Sequence, residues 1–148
     1  MKWVAIGVAG LAVLIVAIAA IGSMLPRNHR ASRSLRLHRS PDEVWAVVTE
    51  LARASDVPVE VVESAPPHRL VTRVTEQEKN FGGTWTIAIA GEPGSTRASV
   101  VTITEDGWVA NPIFRFVSRV VIGHHATMDG LLKQVARKFS EPAVLSGE

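Results

Sequence analysis

Residues 104–116 read Thr-Glu-Asp-Gly-Trp-Val-Ala-Asn-Pro-Ile-Phe-Arg-Phe, and here a β region gives way to a helical one. Upstream, the run from Thr96 to Thr104 has strand character, and Glu105-Asp106-Gly107 carries an Asp-Gly pair, first of all a turn signal. Downstream, Asn111 is placed to cap a helix that begins at Pro112: Asn accepts from the orphan amides, and Pro has no amide to leave orphaned. Ile113, Phe116, Val117, Val120 and Val121 recur at helical spacing. Gly123 marks a break, and Met128, Leu131, Leu132, Val135 and Phe139 form a second apolar stripe. Residues 141–148 read as a flexible tail.

Further upstream the apolar period is two. Trp85, Ile87 and Ile89 share one face of a strand, with Thr84, Thr86 and Ala88 on the other. Glu92-Pro93-Gly94-Ser95 is a turn by composition. Arg69 to Thr75 forms the preceding strand, and Val57, Val59 and Val61 the one before it, ended by Pro66-Pro67, which cannot donate to a ladder. Ser40-Pro41-Asp42-Glu43 spells a capping box with Pro at the first helical position, and Val44, Trp45, Val48 and Leu51 give that helix its apolar stripe. Before it, Leu35 and Leu37 alternate with Arg36 and His38 in a strand from Ser34 to Arg39. An antiparallel meander has one face to cover, and the region after Asn111 supplies the cover. The fold class is α+β, an antiparallel sheet wrapped on a long C-terminal helix.

Four stretches then resemble the SRPBCC superfamily, and more narrowly its polyketide cyclase/dehydrase and START-like members. They are Ser-Pro-x-Glu-Val-Trp at 40–45, Pro-Pro-x-Arg-Leu-Val-Thr-Arg at 66–73, Phe-Gly-Gly-Thr-Trp-Thr at 81–86, and residues 104–116. The resemblance covers about Ser34 to Phe139. It implies a helix-grip fold with an apolar cavity between sheet and helix that takes lipids or other hydrophobic small molecules. This chain departs from it after the first helix, where only Ala52 to Asp56 stands in place of a longer segment that supplies two further strands. A short sheet is therefore predicted.

The N-terminus is of another kind. Trp3 to Leu25 are 23 consecutive uncharged, mostly apolar positions, about 34 Å as a helix, enough for a hydrocarbon core of about 30 Å. Ala17-Ile18-Ala19 resembles a signal cleavage site, but the apolar stretch continues past it and a charged leader segment is almost absent. Six of the sixteen basic residues, Lys2, Arg27, Arg30, Arg33, Arg36 and Arg39, precede Ser40, and no acid does. By the positive-inside rule the chain after Pro26 is expected to stay in the cytoplasm, as a single-pass inner-membrane protein. The organisation read is an anchor over 1–26, a basic juxtamembrane linker over 27–33, the SRPBCC-like domain over 34–140 and the tail. Arg27, Arg30 and Arg33 are expected at the membrane surface. The remaining domain, with ten basic and fourteen acidic residues, is a poor match for nucleic acid.

The chain has no cysteine and no tyrosine, and it carries no Ser-His-Asp order, metal-ligand spacing or nucleotide fingerprint. No catalytic residue, cofactor or metal is assigned. His124 lies on the apolar line of the last helix, either touching a ligand or bonded locally at the helix start; His125 is spaced to pair with Asp129. His29, His38 and His68 carry no spacing signal. Glu76 and Glu78 read as a solvated strand end, and Gly82-Gly83 as a bulge that bends the sheet. Trp45, Trp85 and Trp108 read equally as core or as cavity wall. The cavity candidates are these three with Ile87, Phe116, His124, Met128 and Leu131. The leading expectation is a membrane-tethered domain that binds a lipid or apolar small molecule without catalysis. The alternatives are a scaffold that pairs through its shortened sheet, and a cyclase/dehydrase-like enzyme.

Overall fold

Ser40 accepts from the Glu43 amide while the Glu43 carboxylate accepts from the Ser40 amide, so the box starts a helix, α2 (Pro41–Arg53), where the sequence places it. Asn111 Oδ1 likewise accepts from the Ile113 and Phe114 amides and starts α3 (Pro112–Phe116). The computed structural model describes residues 1–54, 58–75, 80–123 and 125–147. Around those helices stand α1 (Lys2–Met24), β1 (Asn28–Leu37), β2 (Val59–Ala65), β3 (Arg69–Val74), β4 (Phe81–Gly91), β5 (Ser99–Val109), α4 (Ala126–Lys138) and β6 (Leu145–Ser146). A π-type turn, Val117–Ile122, continues α3 and ends at Gly123, whose φ of 79° favours glycine. The strands form one antiparallel sheet in the order β2-β3-β4-β5-β1-β6.

Strand register decides which side chains share the concave face. Leu35 pairs with Val101, Ile89 with Val101, Ile87 with Ile103 and Leu70 with Ile87, and all are buried. Against them pack Val44 and Val48 of α2 and Met128, Leu132 and Val135 of α4, each at most 1% exposed. Burying each such side chain stabilises the domain by about 1.5–3 kcal/mol. The stripe read from Met128 to Phe139 thus grips the sheet.

Several sequence expectations change. The first strand starts at Asn28, so residues 28–33, read as a linker, belong to the sheet. Its inward polar side chains find partners there: Arg33 pairs with Asp129, and His29 with Glu105. Glu105-Asp106-Gly107 lies inside β5 rather than at a turn, because Gly107 takes the His29 ring where a Cβ would stand. Gly82-Gly83 makes no bulge; β4 and β5 stay in register through both, and Gly82 leaves room for the Trp108 ring, 2.9 Å from where its Cβ would be. The register shift lies instead in β2, between Val61 and Glu63. The C-terminal segment is docked: Leu145 pairs with Leu35, and Glu141 accepts from the His38 amide.

The largest correction concerns residues 112–122, expected to cover the sheet. The first of them, α3, packs against α1 instead, where a Cβ on Gly22 would overlap the Pro112 carbonyl. The junction is locked by Arg115, a buried side chain. Its guanidinium donates to the carbonyls of Gly22 (3.1 Å), Leu25 (2.9 Å), Val109 (3.0 Å) and Ala110 (2.7 Å). A cation at a helix C-terminus also meets the negative end of the helix dipole. At 23 residues, α1 is long and apolar enough to cross a membrane.

Candidate functional site

The concave face is packed over only part of its length. Toward the Gly91 end of β4 it is filled; toward the Phe81 end, α4 presents Thr127, Gly130, Leu131 and Gln134 across a gap. There lies a hollow of about 670 Å³, walled by Trp85, Ile87, Phe81, Val74 and Leu51 and bordered by Val59 of the exposed strand β2. A Cβ on Gly130 would meet nothing within 4 Å, so this glycine, in the middle of a helix, contributes directly to the space. A second hollow of about 550 Å³ runs under α2, between Trp45, Thr49 and Arg53 and the strands β2 and β3. Ala52, Val59 and Thr72 border both.

The larger hollow is apolar with a polar end. Glu105 lines it, and its carboxylate stands 3.1 Å from His29 Nε2, both side chains largely buried. Beyond Ala31 on the same face of β1, Arg33 pairs with Asp129 at 3.1 Å and donates to the Gly147 carbonyl at 2.9 Å. A group set against Glu105 would meet a carboxylate acceptor in a half-dry setting, where hydrogen bonds discriminate most.

Of the cavity candidates, Trp85, Ile87 and Leu131 line the larger hollow and Trp45 the smaller. Trp108, Phe116 and Met128 line neither. Trp108 sits on the convex face over Gly82, Phe116 goes with α3 toward α1, and Met128 is fully buried in the core. His124, Glu76 and Glu78 lie outside the described residues. His125 does not pair with Asp129, whose carboxylate goes to Arg33, and its Nε2 is buried without a hydrogen-bond partner among the described residues. Among the expected surface arginines, Arg27 and Arg30 are exposed, Arg30 within 3.6 Å of Asp106, whereas Arg33 is turned inward. The sequence reading missed His29 and Glu105, since their pairing is carried by strand register and not by spacing along the chain. Among the described residues, no group of three or more His, Asp or Glu side chains could hold a metal ion.

The sequence matches no protein-family model and no curated protein. Solved structures are similar in fold. A conserved protein from Geobacillus kaustophilus superposes with a TM-score of 0.58 at 13% identity, over 79% of this chain and 99% of its own. PFC0360w, an HSP90 activator from Plasmodium falciparum, gives 0.53 at 12% identity, over 79% and 99%. Protein CV1439 from Chromobacterium violaceum gives 0.50 at 17% identity, over 80% and 99%. The chain shares the helix-grip fold of these structures, preceded by an apolar helix.

Proposed function

We propose that the chain is a membrane-tethered helix-grip domain that binds an amphiphile, its apolar body in the larger hollow and a hydrogen-bonding head toward Glu105. The observation that carries this reading is the hollow itself: apolar walls, one polar end, and a volume within the range of about 300–1,000 Å³ usual for small-molecule sites. The anchor reading rests on the length and apolarity of α1 and on the arginines that follow it; with them the domain belongs on the cytoplasmic side. The direct test is titration of the delipidated full chain with a fluorescent apolar probe. Saturable uptake by the natural chain, several-fold weaker in Gly130→Leu, is expected. No uptake, or equal uptake by both, would overturn the reading.

A second reading has one observation of its own. Strand β2 is exposed along its whole length and presents Val59, Val61 and Val62 at the sheet edge. Unpaired edges of this kind accept another strand, so the edge suits a scaffold role. Val61→Lys would abolish such pairing and leave probe uptake unchanged.

A further inference from the structure

Four apolar side chains between residues 113 and 121 turn outward. Phe114 is 52% exposed, Val120 61% and Val121 70%, with Ile113 beside them. An apolar cluster of this kind on a domain surface marks a partner. Its place in the fold indicates which partner. The segment is fixed against the C-terminal end of α1 by the Arg115 bonds and by the Gly22–Pro112 contact, so it shares the level at which α1 ends. The strand ends converge there too: Val109 donates to the Arg27 carbonyl, and Ala110 to that of Asn80, next to Phe81. Exposed Arg27 and Arg119 are placed where basic side chains meet lipid headgroups.

From this continuity we infer that residues 112–121 are an interfacial segment whose exposed side chains, Ile113, Phe114, Val120 and Val121, enter the boundary between headgroups and acyl chains. The inference rests on the anchor reading of α1. The bilayer is the occupant because the cluster is joined to a helix that is itself apolar on all sides and exposed along most of its length. Such a segment buries its apolar face about 5–10 Å into the boundary region. Two attachments, a span and a surface segment locked at a fixed angle, hold the domain in one orientation. The Phe81 end of the hollow then faces the lipid, and an amphiphile can enter from the membrane without crossing water.

The absence of native cysteine allows single labels on the full chain. V13C, F114C, V120C and V61C chains, each carrying an environment-sensitive fluorophore, are placed in phosphatidylcholine vesicles. Doxyl lipid and aqueous iodide serve as quenchers. The expected result is doxyl quenching of the labels at 13, 114 and 120, with the latter two losing more than about half their emission to a doxyl near the headgroup. The label at 61, on an equally exposed apolar position away from α1, answers only to iodide. Iodide quenching at 114 and 120 with doxyl quenching at 13 overturns the inference and leaves the anchor standing. No doxyl quenching at 13 removes both.

Discussion

The Arg115 guanidinium donates to the Gly22 carbonyl at 3.1 Å, joining the first helix after the sheet to the last turn of the N-terminal helix. Three more carbonyls share the same group, so one side chain closes the end of α1, the end of β5 and the start of α3 together. The domain is clamped to α1 and does not hang from it by a loose linker.

Arg115→Lys keeps the charge but cannot serve four divergent acceptors, because an ammonium has three donors on one point and no fork. Arg115→Met leaves all four carbonyls without this donor. Unsatisfied buried groups cost about 1–3 kcal/mol each where water cannot replace the partner. The expected outcome in thermal unfolding of the detergent-solubilised chain is a loss of about 2–4 kcal/mol for Met, with Lys recovering less than half. An unchanged melting temperature in both variants would show that the junction does not contribute.

Gly22→Ala tests the same junction from the other side. The added methyl would overlap the Pro112 carbonyl, so α3 must move away from α1, at about 1–3 kcal/mol. Gly7→Ala and Gly10→Ala, which meet nothing, serve as controls and leave stability unchanged or slightly raised.

Gly130 separates stability from function. It interrupts α4 at a position with open space beside it, and glycine inside a helix costs about 0.5–1 kcal/mol relative to alanine. Gly130→Ala is expected to raise stability by that amount in denaturant unfolding. Gly130→Leu would intrude on the hollow and weaken probe uptake several-fold while the fold persists. A destabilised Gly130→Ala would contradict the open space assigned there.

Acid stability follows from three hydrogen-bonded carboxyls. The Ser40 backbone amide and hydroxyl hold Glu43 below the usual carboxylate range, and the Arg36 guanidinium does the same for Glu92. Burial alone would raise Glu141, but hydrogen bonds from the His38 amide and ring and the charges of His38 and Arg39 bring it below its ordinary value. Each is ionised more readily folded than unfolded, so its contribution is present above the unfolded pKa of about 4.3 and lost as pH falls through the lower folded value. Melting temperature should therefore be flat from neutral pH to about 5 and fall below about 4. In Glu141→Gln the acid slope should be shallower, as read by circular dichroism melts at stepped pH.

Much of the fold was legible in local chemistry. The Ser40 box, the Asn111 cap, the alternation through Trp85, Ile87 and Ile89, and the stripe from Met128 to Val135 each declare an element from neighbouring residues alone. The site was only partly legible. Trp85, Ile87 and Leu131 were readable as cavity wall, but the polar end joins His29 to a residue 76 positions away through strand pairing. Residues 28–33 looked like a linker because the residues that neutralise their charges lie far along the chain. Residues 112–122 have a spacing that suits a helix facing any apolar surface. What the spacing cannot say is whether that surface is a sheet or the end of α1, and the docking at Gly22 decides it.

The central claim is that an apolar chain occupies the hollow. Trp85 lines that hollow and Trp108 lies on the opposite face of the sheet, so two full-length chains, each retaining only one of these tryptophans and Phe at the other positions, separate the sites. Titrated with a brominated fatty acid, the Trp85 chain is expected to show saturable quenching at one equivalent while the Trp108 chain does not. No saturable quenching of Trp85, or equal quenching of both, would contradict the account.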